Sequence, residues 1–197
     1  MYFLLVAVVL SSGPGREASR RAAPTGTPTG LQAQLTDAEV VEQAQALLGA
    51  IDTPISAAQW KALGPRAEPL LAALVDDDSE LPTRRARAID ALVTVGGEQT
   101  RARFARVAEG DGQPFVVRLS ALRGLGAIVP ALELPVVLGA LLTKAPDSRV
   151  RAAAGEVLAL KGKGTACAAV EAQLQREGAD GQAQFHRAAK TCGLHRP

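Results

Sequence analysis

One pattern recurs along this chain at a fixed interval, and it constrains the fold more than any other feature. The stretches TRRARAIDALVTVGG (Thr83 to Gly97), FVVRLSALRGLGAI (Phe115 to Ile128) and SRVRAAAGEVLALKG (Ser148 to Gly162) align on Arg85, Arg118 and Arg151, spaced 33 and 33. Ala88, Ala121 and Ala154 fall in register, and so do Leu92, Leu125 and Leu158. In the shared R-x-x-A-x-x-x-L, the Ala and Leu are four apart and share one helix face. A small residue beside a large one lets neighbouring helices approach closely. Gly96, Gly126 and Gly162 follow at or near each helix end, where a left-handed cap is expected.

Each of these helices has an upstream partner. Leu63 to Asp78 puts Leu70, Leu71, Leu74 and Val75 on one face. Glu98 to Gly112 turns Ala102, Phe104, Ala105 and Val107 inward, and Leu132 to Asp147 groups Val137, Leu138, Leu141 and Leu142. Gly164 to Gly178, with Val170 and Leu174, and Gly181 to Gly193 make a last pair. Four helix pairs near 33 residues each result, with Gly, Pro and Asp turns between. Upstream, TDAEVVEQAQALLGA opens with a capping box, Thr36 with Glu39 three residues on. With Trp60 it is expected to cover the open end of the stack.

The layout G-x-x-A/P-x-x-x-L-x-x-L-x-D, then V-R-x-x-A-x-x-A-L-x-x-L-G, resembles the short bacterial HEAT repeat, the class also seen in phycobilisome-lyase-type repeat proteins. The resemblance covers roughly residues 63 to 193 and is most specific at FVVRLSALRGLG and SRVRAAAGEVLALKG. The last pair is degenerate. Ankyrin and tetratricopeptide repeats fit worse, because T-P-L-H and the Trp, Leu-Gly, Tyr spacing are absent. The resemblance implies an all-α fold: a right-handed α-solenoid of about four helix pairs with an N-terminal helical cap. It also implies a structural job for the repeated Arg, which in such units pairs with an Asp near the intervening turn. Asp78, Asp111 and Asp147 are the expected partners of Arg85, Arg118 and Arg151.

Residues 1–15 read as a signal peptide. Nine apolar residues, Tyr2 to Leu10, are too few to span a bilayer but suit its apolar core, and small residues follow. No Lys or Arg precedes the run, so an apolar tail is the alternative. Residues 16–35, with two PTG units, read as a flexible linker, and residues 36–197 as the solenoid domain. The linker's Arg16, Arg20 and Arg21 against Glu17 carry the whole net charge of +2, which leaves residues 36–197 neutral. The abundance of Arg, 17 against 5 Lys, then reads with the Ala and Gly as genome composition rather than as nucleic-acid binding.

Chemistry is sparse. The histidines are His186 and His195, and there is no G-x-S-x-G or H-E-x-x-H. GKGT (Gly162 to Thr165) lacks the leading Gly and the strand of a phosphate loop. DDD (Asp76 to Asp78) reads as a solvated turn and cap. Cys167 and Cys192 fall on the two helices of the last pair, where an exported protein would bridge them. Two reduced core thiols are one alternative. Zinc on Cys167, His186, Cys192 and His195 is another. Arg84, Arg85, Arg87 and Arg101, Arg103, Arg106 form two basic clusters, read first as solvated helix surface.

The function expected from this is non-enzymatic: a monomeric protein-binding or scaffold module of the bacterial envelope. It needs no cofactor, binds no nucleic acid and has no membrane span in its mature form. A lyase-like or enzyme-accessory repeat protein and a cytoplasmic nucleic-acid binder are the alternatives.

Overall fold

The structure is a computed structural model that describes residues 35–50, 53–162 and 165–194. The signal-peptide and linker readings lie outside the described residues. Among the described residues there are eleven helices and no strand.

Two short helices come first, α1 (Asp37–Gly49) and α2 (Ala57–Ala62). Both begin with capping boxes: Thr36 and Glu39 exchange side-chain and backbone bonds, as do Ser56 and Gln59. Trp60 is buried in the same core as Val40, Ala44 and Leu48 of α1, so this segment covers the first pair.

Four pairs follow. The first helices are α3 (Ala67–Asp76), α5 (Gln99–Glu109), α7 (Leu134–Lys144) and α9 (Thr165–Leu174). The second helices are α4 (Pro82–Val95), α6 (Phe115–Ile128), α8 (Ser148–Lys161) and, in two pieces, α10 (Ala179–Gln184) and α11 (His186–Thr191). Each first helix packs on its own second helix. The second helices also pack directly on one another, α4 on α6, α6 on α8 and α8 on α11, while successive first helices barely meet. This is a stacked α-solenoid whose second-helix layer is the tighter one.

The in-register residues build that layer. Ala88, Ala121 and Ala154 are wholly buried, and Leu92, Leu125 and Leu158 are at most 1% exposed. One core runs from α1 to α11 with no break between pairs.

Three expectations are corrected. Gly96 and Gly162 end their helices without left-handed backbone, at φ −71° and −82°, and Gly126 lies inside α6. The left-handed glycines are Gly64 and Gly193. The helical glycines instead make room: a Cβ on Gly126 would meet Val157 at 2.5 Å, and one on Gly124 would meet the Phe104 ring at 2.6 Å. Secondly, Ala102 is exposed, and the buried face of α5 is Thr100, Phe104, Val107 and Ala108. That set follows a 3.6-residue period better than the expected one. Thirdly, the last second helix is broken at Phe185. Its amide donates to both Gly181 and Gln182 carbonyls, and its side chain is fully buried beside Gly155.

Two glycines separate packing from propensity. A Cβ on Gly139, in α7, would meet nothing within 4 Å. Gly139→Ala should therefore stabilise by about 0.5–1 kcal/mol through helix propensity. Gly124→Ala should lose more than that gain, because overpacking a filled core costs about 1–3 kcal/mol. Urea unfolding of both variants checks this; equal stabilisation would show that Phe104 yields freely.

Candidate functional site

The repeated arginines are anchored on backbone. Arg85 donates from Nε and Nη2 to the Val75 carbonyl at 3.1 and 2.8 Å. Arg118 donates from Nε to the Ala108 carbonyl at 2.9 Å. Arg151 donates from Nη1 to the Ala145 and Pro146 carbonyls at 2.6 and 2.9 Å. Each anchoring position is at the end of a first helix, where the last carbonyls have no intrahelical donor. The guanidinium of the second helix thus closes the end of the first.

The carboxylates come second. Arg85 Nη2 is 2.9 Å from Asp78 Oδ1, and Arg118 Nη1 is 3.3 Å from Asp111 Oδ1. The Arg side chains are almost fully buried, while the Asp side chains are 73% and 64% exposed. The third rung departs from the expected pairing. Asp147 does not pair with Arg151; it caps α8 by accepting from the Arg149 amide at 2.8 Å and pairs with the Arg149 guanidinium. The reason is length: only Ala145–Asp147 joins α7 to α8, so the Asp falls on the N-cap. Arg151 instead makes a two-pronged pair with Glu177, at 2.6 and 2.7 Å, and Gln173 Nε2 donates to the same carboxylate at 2.8 Å.

Cys167 and Cys192 are joined by a disulfide, with Cα atoms 5.5 Å apart. With both sulfurs bonded to each other, neither is a zinc thiolate, and His195 lies outside the described residues. No three His, Cys, Asp or Glu side chains among the described residues gather as a metal site. The DDD residues have separate duties. Asp76 pairs with Arg103 and Arg106, Asp77 accepts from the Ser79 amide and hydroxyl, and Asp78 meets Arg85 and Gln113. The basic clusters are similarly engaged: Arg84 with Glu80, Arg87 with the Leu48 carbonyl, and Arg101 with Glu133.

The second-helix layer presents a solvent face that motif reading did not isolate. Five residues beyond each repeated Arg stand Asp90, Arg123 and Glu156, all at the same register position, and Arg187 continues the row on α11. The signs alternate from helix to helix. Glu156 and Arg187 are 4.0 Å apart. Asp90 is exposed by surface area, yet the protein around it raises its carboxyl above the ordinary range, and the Arg123 charge opposes that shift.

Two grooves open beside the row. One, of about 450 Å³, lies between the N-terminal segment and α4 and is lined by Ile55, Trp60, Arg87, Asp90 and Thr94 among others. The other, of about 340 Å³, lies among α6, α8, α10 and α11. Phe115, Leu119, Ala152 and Ala153 line its apolar part, and Arg123, Arg149, Glu156, His186 and Arg187 its polar part. Arg149 lies over the Phe115 ring, 4.7 Å from its centroid.

Carbonyl anchoring and ion pairing are separable by substitution. Arg118→Ala leaves the Ala108 carbonyl without its donor and should cost about 1–3 kcal/mol in denaturant unfolding. Asp111→Ala removes only an exposed partner and should cost less than about 1 kcal/mol. Equal losses would return the role to the ion pair. Glu177 gives a pH signature. The Arg151 hydrogen bond holds its carboxyl below the ordinary 4.5. A depressed folded value means stability that is present above 4.5 and is lost as pH falls through the folded value. Glu177→Gln should therefore destabilise by about 1–3 kcal/mol at neutral pH. The gap from the parent protein should narrow in acid, read as unfolding midpoints at neutral and low pH; a constant gap would contradict it.

The family profile for HEAT repeats matches residues 67–159, from the start of α3 into α8. Comparisons with curated proteins and with solved structures return no match. The matched span ends before the last pair, where α10 and α11 interrupt the repeat. Stacked helix pairs, a core Ala and Leu in 33-residue register and this profile agree, and over that span the chain is a HEAT-repeat protein.

Proposed function

We propose that the protein is a non-enzymatic binding or scaffold module of the bacterial envelope, and that it holds a partner protein against the solvent face of its second helices. HEAT repeats commonly mediate protein–protein contact or scaffolding, and this function rests on the fold more than on any reactive group. The observation that carries the choice of face is the pair of grooves beside the charge row, one among α6, α8, α10 and α11 and one between α4 and the N-terminal segment. Apolar floors flanked by charged side chains are what a protein contact uses.

The envelope placement has two supports. The apolar run Tyr2 to Leu10 suits an export signal, and a disulfide is at home in an oxidising compartment. Among the described residues no helix is long and apolar enough to cross a membrane. In the enzyme-accessory reading, Asp90 with its raised carboxyl would be the reactive group. Among the described residues no His, Cys or second carboxylate lines its groove to serve in proton transfer or nucleophilic attack. In the nucleic-acid reading the two Arg clusters would face phosphates, but they are neutralised by Glu80, Asp76 and Glu133 or turned to backbone.

Cross-linking in the native cells tests the face. Ala127→Arg and Leu160→Arg alter exposed second-helix positions, and Leu132→Arg and Val136→Arg alter exposed positions on the other side. The first two should abolish the specific cross-link and the second two should keep it. The reverse pattern would reject the second-helix face. The intact mass of the cross-linked species' bait, with and without reductant, checks the compartment: a shortened, disulfide-bonded chain is expected, and a full-length reduced chain in the cytosol would remove the envelope reading.

A further inference from the structure

We infer that the groove among α6, α8, α10 and α11 receives a short acidic segment of the partner protein. This rests on the second-helix face being the binding face, and it adds the chemistry of what binds there.

Charge gives the occupant. Three guanidiniums line the groove, from Arg123, Arg149 and Arg187, against the single carboxylate of Glu156. Arg123 makes no ion pair or hydrogen bond among the described residues, and its charge acts on the Asp90 carboxyl. Arg187 reaches Glu156 at the outer limit of an ion pair, with its side chain 73% exposed. Arg149 is committed to Asp147, whose hydrogen bonds and charge raise the proton affinity of the guanidinium. Stacking on Phe115 and the Asp147 pair hold that guanidinium in place. The groove therefore offers two under-compensated cations, Arg123 and Arg187, on either side of Glu156.

The floor gives the shape. Ala152 and Ala153 of α8 are small and only 6% exposed, so a chain can approach the helix closely there. Phe115 and Leu119 make one apolar wall. The occupant that fits is an extended segment with carboxylates directed to Arg123 and Arg187 and a modest apolar side chain set between them. A basic segment would meet two under-compensated cations and one half-engaged carboxylate, which is the unfavourable arrangement.

The test uses the full chain and a fluorescent peptide of about ten residues, Glu-rich with one central Leu, against a Lys-rich counterpart. Anisotropy should rise with the acidic peptide alone, and added salt should weaken binding. Arg123→Glu and Arg187→Glu should each weaken it about tenfold while circular dichroism stays unchanged. Both positions are exposed, so folding should survive. Equal binding of the two peptides, or charge reversals without effect, would overturn the inference. So would a single-stranded oligonucleotide of equal charge that binds the groove more tightly, since the site would then be one for nucleic acid. If the acidic peptide fails while Ala127→Arg and Leu160→Arg still abolish the cross-link, only the acidic occupant falls and the binding face stands.

Discussion

The ends of α3, α5 and α7 are each closed by a guanidinium from the following second helix, and the pairing of those helices rests on that bond. A helix ends with carbonyls that have lost their donors, and leaving one buried and unpaired costs about as much as a hydrogen bond to a charged group contributes. Arg85, Arg118 and Arg151 supply the donor from across the turn, to Val75, Ala108 and Ala145. The long side chain must lie flat through the core to reach, which fixes the offset between the two helices of a pair. Ala88, Ala121 and Ala154 stand three residues on, and Leu92, Leu125 and Leu158 seven on, so setting the Arg also sets which residues face the next pair. The carboxylates at Asp78 and Asp111 then partly balance the buried charge from the solvent side. Charged pairs of this kind serve register more than net stability, because desolvation consumes much of their attraction.

The stacking layer was legible in the sequence because a solenoid repeats its contacts at the interval at which it repeats its residues. Three fully buried Ala in one register leave little choice of interface. The carbonyl acceptors were not legible: every residue has a carbonyl, so spacing alone cannot single out Val75 or Ala108. Nor was Glu177. It lies in the degenerate last pair, 26 residues beyond Arg151, and the nearer Asp147 carried the right residue type at the wrong place. Gly96, Gly126 and Gly162 misled for a related reason. A Gly near a helix end often marks a left-handed cap, whereas here a Cβ on Gly126 would meet Val157, and one on Gly96 or Gly162 would meet Thr100 or Ala166. The charge row at Asp90, Arg123 and Glu156 was present in the 33-residue alignment, but a comparison of like with like passes over a position whose sign alternates.

That alternation bears on how the proposed binding face works. Like charges stacked on successive helices would repel across a separation of one helix diameter, and the layer holding them is the tighter of the two. Alternating signs remove that cost. The row runs out at α11, where Arg187 has no further helix to meet and Arg149 is turned to Asp147. The groove among α6, α8, α10 and α11 holds three guanidiniums against one carboxylate because it takes in Arg123 and Arg149 beside the Glu156 and Arg187 pair and leaves Asp90 to the other groove.

The same end is where a solenoid is weakest, since its last pair has a neighbour on one side only. Here the last second helix is also broken at Phe185, into two pieces too short to be stable alone. Three devices oppose fraying. Phe185 buries its ring against α8, Arg151 and Gln173 hold Glu177 at the end of α9, and the Cys167–Cys192 disulfide ties α9 to the close of α11. Closing a loop across 25 residues restricts the unfolded chain by about 3 kcal/mol. That constraint acts on the pair that supplies His186 and Arg187 to the groove. A groove whose wall opened freely would bind more weakly by the fraction of time it spent open. The covalent tie and the proposed binding groove thus share the pair that has a neighbour on one side only.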